Sequence, residues 1–237
     1  MVGRGARILL LGHGRMGQLV ERLAPAHGCE VAGVISSRSG LDAIQTGDFG
    51  SVDVAIDFTQ PSAVAANFRQ LAGRKINVVI GTTGWQGQEA ALREIAESEG
   101  IGVLASANFS IAMAVFRAVV QEAARRFGPL PDVGAWIHES HHSAKKDAPS
   151  GTALMLKTAM EHAGYPRPVD VSSTRAGSIP GTHVVGFDAP AETMTLVHEV
   201  RDRAVFAHGA LQAAAWLKGR RGWFSMDHML ENLKSGI

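Results

Sequence analysis

An α/β fold is predicted, a doubly wound parallel sheet followed by a second, smaller mixed α/β domain, on three observations. An apolar run over residues 6–11 leads straight into Gly12-His13-Gly14-Arg15-Met16-Gly17 and a helical pattern. Strand and helix signals then alternate five times up to residue 105, the signature of parallel β-α units. Beyond residue 127 the grammar changes to short strands separated by turn residues, with a single helix among them.

The first strand, residues 6–11, suits burial on both faces. Its glycine turn is G-x-G-x-x-G in the strand–turn–helix setting that dinucleotide binding requires, so the first domain is expected to be of Rossmann type. The helix over residues 18–26 carries Leu19, Val20 and Leu23 on one face, and its free N–H groups suit a pyrophosphate. Residues 30–35 read as the second strand. At its end, where an acid would hold the ribose hydroxyls of NAD, stand Ser36, Ser37 and Arg38. Two hydroxyls and a guanidinium can bind a 2′-phosphate, which predicts NADPH over NADH. Arg38 also belongs to a Gly/Ser-containing loop running to Gly50.

A third strand is expected over residues 53–58, then a helix capped by Thr59 or Gln60, with Pro61 in its first turn, reaching about Gly73. Strand 76–80, helix 88–98 and strand 101–105 complete the sheet. Ligands of such sheets lie at the carboxyl ends of the strands. Gly81-Thr82-Thr83-Gly84 and Ser106-Ala107-Asn108-Phe109-Ser110 are therefore candidates for the nicotinamide and ribose end of the cofactor, or are ordinary turns.

A long apolar helix over residues 111–127, closed by Gly128-Pro129, leads out of this domain. Strands follow over 133–137, 169–174, 182–187 and 192–199, with a helix over 150–163. Then come an alanine-rich helix over 204–217, the segment Gly222-Trp223-Phe224-Ser225, and a last helix capped by Ser225. The tail is expected to pack back onto the nucleotide domain, and a hinge would let the domains close on substrate. The expected division is residues 1–108 plus about 206–237 for the dinucleotide, and about 109–205 for substrate and oligomerisation.

Composition narrows the function. A net charge of +1 gives no overall field for nucleic acid or an anionic membrane, so the partner is a small molecule. The one cysteine, Cys29, excludes an intramolecular disulfide or a multi-cysteine metal site and fits a reducing cytoplasm. The opening stretch from Met1 to Arg7 precedes an apolar run too short for a signal sequence or a membrane span.

Chemistry is densest over residues 138–152. His138-Glu139-Ser140-His141-His142 matches H-E-x-x-H, but that zinc motif needs a helix, and Val133-Gly134-Ala135-Trp136-Ile137 reads as a strand, so no metal is expected. Ala148-Pro149-Ser150-Gly151-Thr152-Ala153 marks a helix start with Ser150 as cap. The free N–H groups of Gly151 and Thr152 suit a carboxylate or phosphate, with Lys145 adding charge. Histidine exchanges protons near neutral pH, and hydride plus a proton is a reduction; the substrate should be small, unsaturated and carboxylated.

Glu139-Ser140-His141-His142 through Lys145-Lys146-Asp147-Ala148-Pro149-Ser150-Gly151-Thr152-Ala153 resembles the E-x-H-H-x-x-K-x-D-A-P-S-G-T-A signature of the 4-hydroxy-tetrahydrodipicolinate (dihydrodipicolinate) reductases of lysine and diaminopimelate synthesis. Gly14-Arg15-Met16-Gly17, Asp57-Phe58-Thr59, Gly81-Thr82-Thr83-Gly84, Ala107-Asn108-Phe109-Ser110, Arg175-Ala176-Gly177 with Gly181-Thr182-His183, and Phe206-Ala207-His208-Gly209 match as well. The resemblance implies that His141 donates or accepts the proton and Lys145 donates it. It implies that His142, Gly151, Thr152 and Arg203 hold the substrate carboxylates, and that Gly12, His13, Gly14, Arg15, Met16, Gly81, Thr82, Thr83, Ser106, Ala107, Asn108 and Phe109 touch the cofactor. It also implies a homotetramer formed through the second domain. The glycine loop is one residue shorter than in many members, and Ser36-Ser37-Arg38 replaces an acidic-basic pair that lets some members use NADH as well. An amino-acid dehydrogenase of similar plan and a non-catalytic NADPH sensor are the alternatives.

Overall fold

The computed structural model describes residues 5–39 and 42–234. Met1-Val2-Gly3-Arg4 of the opening stretch, and Gly40-Leu41 of the loop expected between Ser36 and Gly50, lie outside the described residues. The chain divides into two compact units, residues 1–110 with 204–237, and residues 111–203.

The first unit alternates β1 (Arg7–Leu11), α1 (Arg15–Leu23), β2 (Glu30–Ile35), a short α2 (Ala43–Thr46), β3 (Val54–Asp57), α3 (Pro61–Gly73), β4 (Asn77–Ile80), α4 (Glu89–Glu99) and β5 (Gly102–Ala105). Residues 8–11, 54–57 and 77–80 are buried along their whole length, as strands covered on both faces must be. Helix α1 starts at Arg15, inside the glycine motif and three residues earlier than expected, because Gly14 takes the cap position with extended backbone. It also stops earlier, at Leu23, and a 3₁₀ turn over Ala24–His27 follows, with Pro25 as its second residue. The expected side-chain cap of α3 is not formed: Gln60 occupies the cap position without such a bond, and Thr59 turns instead to Asp57.

The second unit holds α5 (Ile111–Phe127), β6 (Gly134–His141), α6 (Gly151–His162), β7 (Val169–Arg175), β8 (Thr182–Ala189) and β9 (Glu192–Glu199). Its four-stranded sheet runs β7-β6-β8-β9, with β6 and β7 parallel and the other pairs antiparallel. Val120, Leu156 and Met160 of the helices pack against Ile137, Val185 and Phe187 of the sheet. Strand β6 is longer than the apolar signal indicated. It continues through His141, so Glu139 lies within the strand and not at its exit.

The chain then returns to the first unit with α7 (Ala204–Leu217), β10 (Gly222–Phe224) and α8 (Met226–Lys234). Strand β10, too short to carry a sequence signal, pairs parallel with β5 and completes a sheet of order β10-β5-β4-β3-β1-β2. Buried Asn77 fastens this return: Nδ2 donates to the carbonyls of Leu217 and Arg220 at 2.9 and 3.1 Å, and Oδ1 accepts from Gly102 N–H at 2.7 Å. Strand order reverses at β1, whose neighbours are β2 and β3, and the glycine loop leaves β1 at that switch point. Among the described residues no helix is long and apolar enough to cross a membrane.

Candidate active site

The three glycines of the first loop meet three different constraints. Gly12 has a φ of +87°, and a Cβ there would stand 2.3 Å from the Phe58 carbonyl oxygen. A Cβ on Gly17 would stand 2.0 Å from the Gly12 carbonyl oxygen, so this position lets α1 pack on the turn. At Gly14 a Cβ would meet nothing within 4 Å; the space in front of it opens into a cavity of about 1230 Å³. That open face, beside the first N–H groups of α1, which a helix leaves without a partner of its own, fits a pyrophosphate.

The cavity is lined by Gly12, His13, Gly14, Ser36, Ser37 and Arg38, together with Asp42, Thr59 and Asn67. It brings together the glycine loop and the residues after β2. Arg15, Met16 and Gly17, and the loops after β4 and β5, are not part of its lining. His13 is exposed and pairs with Glu21 at 2.7 Å.

The loops at the ends of β3 and β4 are tied by Asp57, a buried carboxylate. It accepts from Thr59 N–H at 2.9 Å, Thr59 Oγ1 at 2.6 Å, Thr82 Oγ1 at 2.9 Å and Asn67 Nδ2 at 3.0 Å. Thr82 is thus committed to the protein interior, while Thr83 is exposed beside Gly81. After β5, Ser106 Oγ bonds the Asn108 carbonyl at 2.7 Å, Asn108 Oδ1 accepts Ser110 N–H at 2.9 Å, and Phe109 is buried edge-on to Phe58. Ala107 is exposed. Local bonds shape these turns whatever else they bind.

In the second unit the period of β6 decides which groups meet. Ala135, Ile137 and Glu139 are buried on one face, and His141 continues the same row, whereas His138 and Ser140 alternate away. His138 is held by Ser172 Oγ at 2.8 Å and Ser140 Oγ at 3.2 Å, so the H-E-x-x-H spacing lies on a strand that sends its first two members to opposite faces. Among the described residues no group of three or more His, Cys, Asp or Glu is placed to hold a metal ion.

A carboxylate at the end of an apolar row must find partners. Register supplies them: Ser173 of β7 and His183 of β8 stand opposite Glu139, and Arg175 stands opposite His141. Arg175 donates through Nη1 to Glu139 Oε2 at 2.9 Å and through Nη2 to Oε1 at 2.7 Å, a bidentate pair. His141 Nδ1 bonds Oε2, and Ser150 N–H donates to Oε1 at 3.2 Å. Buried His183 meets Ser150 Oγ through Nε2 at 3.3 Å and sits edge-on to His141 with ring centroids 5.2 Å apart.

Electrostatics follow from this packing. Burial alone would raise the Glu139 carboxyl, but hydrogen bonds from Arg175, Ser173 and His141 outweigh it and bring the pKa to about 2. Burial pushes His141 below the ordinary histidine value. Glu139 opposes that shift, and Lys145 and Arg175 add to it. His183 is pushed down to about 4 by burial and by His141.

Lys145 and the Gly151 N–H meet at Asp147, at the start of α6, where Thr152 is the next helical residue. Ser150 caps this helix, its Oγ accepting from Ala153 N–H at 3.2 Å, and a Cβ on Gly151 would meet nothing within 4 Å. Lys145 Nζ grips both oxygens of Asp147 at 2.7 and 2.9 Å. Burial would raise the Asp147 carboxyl; Lys145 and the N–H groups of Asp147 and Gly151 bring it below its ordinary value. The lysine and the helix start therefore already stabilise one carboxylate, the chemistry expected of them toward a ligand. His142 is half-buried next to His141, whereas Arg203 is exposed and, among the described residues, bonds none of this cluster.

Glu139, Arg175 and His183 gained no role from sequence reasoning. Glu139 carried a signal, since an acid two residues beyond Ile137 falls on the apolar face of the strand and calls for a buried cation. Arg175 and His183 are brought in by strand register, which residue spacing does not reveal.

The N-terminal profile of dihydrodipicolinate reductase matches residues 6–109, and the C-terminal profile of the same family matches residues 112–230. The 4-hydroxy-tetrahydrodipicolinate reductase of Christiangramia forsetii is 33% identical over 95% of this chain and 98% of its own. That of Xanthomonas axonopodis pv. citri is 39% identical over 93% and 95%. Among solved structures, the dipicolinate-bound dihydrodipicolinate reductase of Paenisporosarcina sp. TG-14 superposes with a TM-score of 0.71 at 22% identity, over 93% of this chain and 97% of that one, and shares the fold. The chain belongs to the dihydrodipicolinate reductase family.

Proposed function

We propose that this protein reduces 4-hydroxy-tetrahydrodipicolinate to tetrahydrodipicolinate in lysine and diaminopimelate synthesis, using NADPH in preference to NADH. Family membership supports the reaction. One observation carries the site: His141, with its ring held by Glu139, lies beside Lys145 and a helix start that together stabilise a carboxylate.

When bound, the nicotinamide nucleotide supplies a hydride. Gly12, His13, Gly14, Arg15, Met16 and Gly17 are assigned to its pyrophosphate, and Ser36, Ser37 and Arg38 to a 2′-phosphate. Gly81, Thr82, Thr83, Ser106, Ala107, Asn108 and Phe109 are assigned to the ribose and nicotinamide end. The open face at Gly14 and the hydroxyl and guanidinium groups lining the same cavity support the first two assignments.

His142, Gly151, Thr152 and Arg203 are assigned to the substrate carboxylates. A carboxylate meeting the α6 N–H groups exchanges with Asp147 for the Lys145 ammonium, so that substrate binding turns that lysine from an internal ion pair to the substrate. Lys145 or His141 then supplies the proton that accompanies reduction. A cytoplasmic homotetramer is part of the same proposal. The exposed Met194 and Val197 on β9 support assembly through the second unit.

The test is steady-state oxidation of NADPH and of NADH with freshly prepared dihydrodipicolinate-type substrate, beside oxidation of diaminopimelate or aspartate with NADP⁺. The proposal expects the first reaction with NADPH favoured and a negligible second. Amino-acid oxidation without imine reduction would place the protein with the amino-acid dehydrogenases.

A further inference from the structure

We propose that Glu139, held by Arg175, is the positioning residue that fixes the tautomer and aim of His141, making Nε2 the nitrogen that exchanges a proton with the substrate. The proton exchange rests on the function proposed above; the tautomer does not.

Glu139 is fully buried, and both its oxygens are engaged. Oε2 takes His141 Nδ1 and Arg175 Nη1, and Oε1 takes Arg175 Nη2 and Ser150 N–H. A carboxylate of this kind stays ionised and only accepts hydrogen bonds, so the neutral His141 ring must carry its hydrogen on Nδ1. The lone pair then lies on Nε2, which takes up a proton to form the imidazolium and can then pass it to the substrate. That atom faces Gly181, where a Cβ would stand 3.1 Å away; at a φ of +149° this glycine leaves the nitrogen uncrowded.

The groups facing His141 are Glu139 on its own strand, Lys145 on the following loop, Arg175 on β7 and His183 on β8. Lys145 and Arg175 disfavour the imidazolium, as does burial, and among the described residues Glu139 is the acid in contact that favours it. Without Glu139 the ring would lose both its orientation and the acid that adds to its basicity.

The same pair also sets distance. Glu139 holds Ser150 N–H, and Arg175 Nη2 donates to the Asp147 carbonyl at 2.5 Å, so the loop entering α6 is tied to the strand that carries His141. The proton-exchanging ring and the carboxylate cradle at α6 are thereby fixed to one another. Asp147, the other acid of this cluster, bonds Lys145 and not the His141 ring.

Histidine ¹⁵N NMR of the wild-type protein, above the ordinary histidine pKa, reads the tautomer directly. Nδ1–H with a bare Nε2 is expected at His141, and Nε2–H would overturn the proposal whatever reaction the protein catalyses. In Glu139→Gln, whose amide can donate to Nδ1, the tautomer should change. The expected kcat falls about 10²-fold or more, substrate KM and nucleotide Kd change little, and the pH limb set by His141 moves to lower pH. An unchanged tautomer and turnover in this variant would also overturn it. If the wild type shows Nδ1–H yet reduces no cyclic imine dicarboxylate, the positioning stands and the assigned reaction fails.

Discussion

Arg175 grips both oxygens of Glu139, at 2.9 and 2.7 Å, across 36 residues of sequence and one parallel strand pair. Removing one member of such a buried pair strands the other charge. Arg175→Ala should lower the unfolding free energy by about 3–5 kcal/mol in urea titrations, and adding Glu139→Gln should restore part of it. A loss below about 1 kcal/mol would mean that solvent, and not Arg175, compensates the carboxylate.

Stability should fall with acid in two stages, with the sign fixed by the protonation of each state. Neutral His183 keeps a pKa of about 4 against an ordinary 6.5, so the unfolded chain takes up this proton first and stability declines as pH falls from about 6.5 to about 4. Glu139, at about 2 against 4.5, adds a second decline between those values. Urea midpoints measured against pH should show both. His183→Phe should flatten the upper stage without abolishing it, because His27, His141 and His198 are shifted in the same direction.

The glycine loop separates folding from binding. Gly14 has extended backbone and free space, so Gly14→Ala should leave the melting temperature within about 2–4 °C while weakening nucleotide binding about tenfold or more. Gly17→Ala forces a Cβ against the Gly12 carbonyl oxygen and should lower both. Calorimetry with fluorescence titration of nucleotide checks the pair, and equal effects in the two variants would contradict the assigned roles.

Arg38 stands exposed at the cavity where the 2′-phosphate is assigned. Arg38→Ala should raise the Kd for NADPH about 10-fold and leave that for NADH within about twofold, as expected for loss of one charge-assisted contact. Isothermal titration with both nucleotides decides it. An equal loss for the two would assign Arg38 to general attraction of anions.

Much of the fold was legible because the β-α alternation writes itself as apolar runs ending in glycine, and α5, β2, β9 and α7 have the bounds that their patterns indicated. Strand β10 was not, since three residues hold no period and its place depends on Asn77 and β5. Strand β6 was underestimated because its second half is polar, a cost met by partners on β7 and β8. For the same reason the motif over residues 139–152 pointed to His141, Lys145 and the α6 start, but not to the buried acid and guanidinium beneath them.

Kinetics of His141→Gln and Lys145→Ala bear most directly on the assignment of residues 138–152 as the proton-donating, carboxylate-binding arm. Each variant should lose about 10²–10⁴-fold in kcat for the cyclic imine dicarboxylate while its NADPH Kd stays within about twofold of wild type. Loss of NADPH affinity with turnover intact would contradict the account.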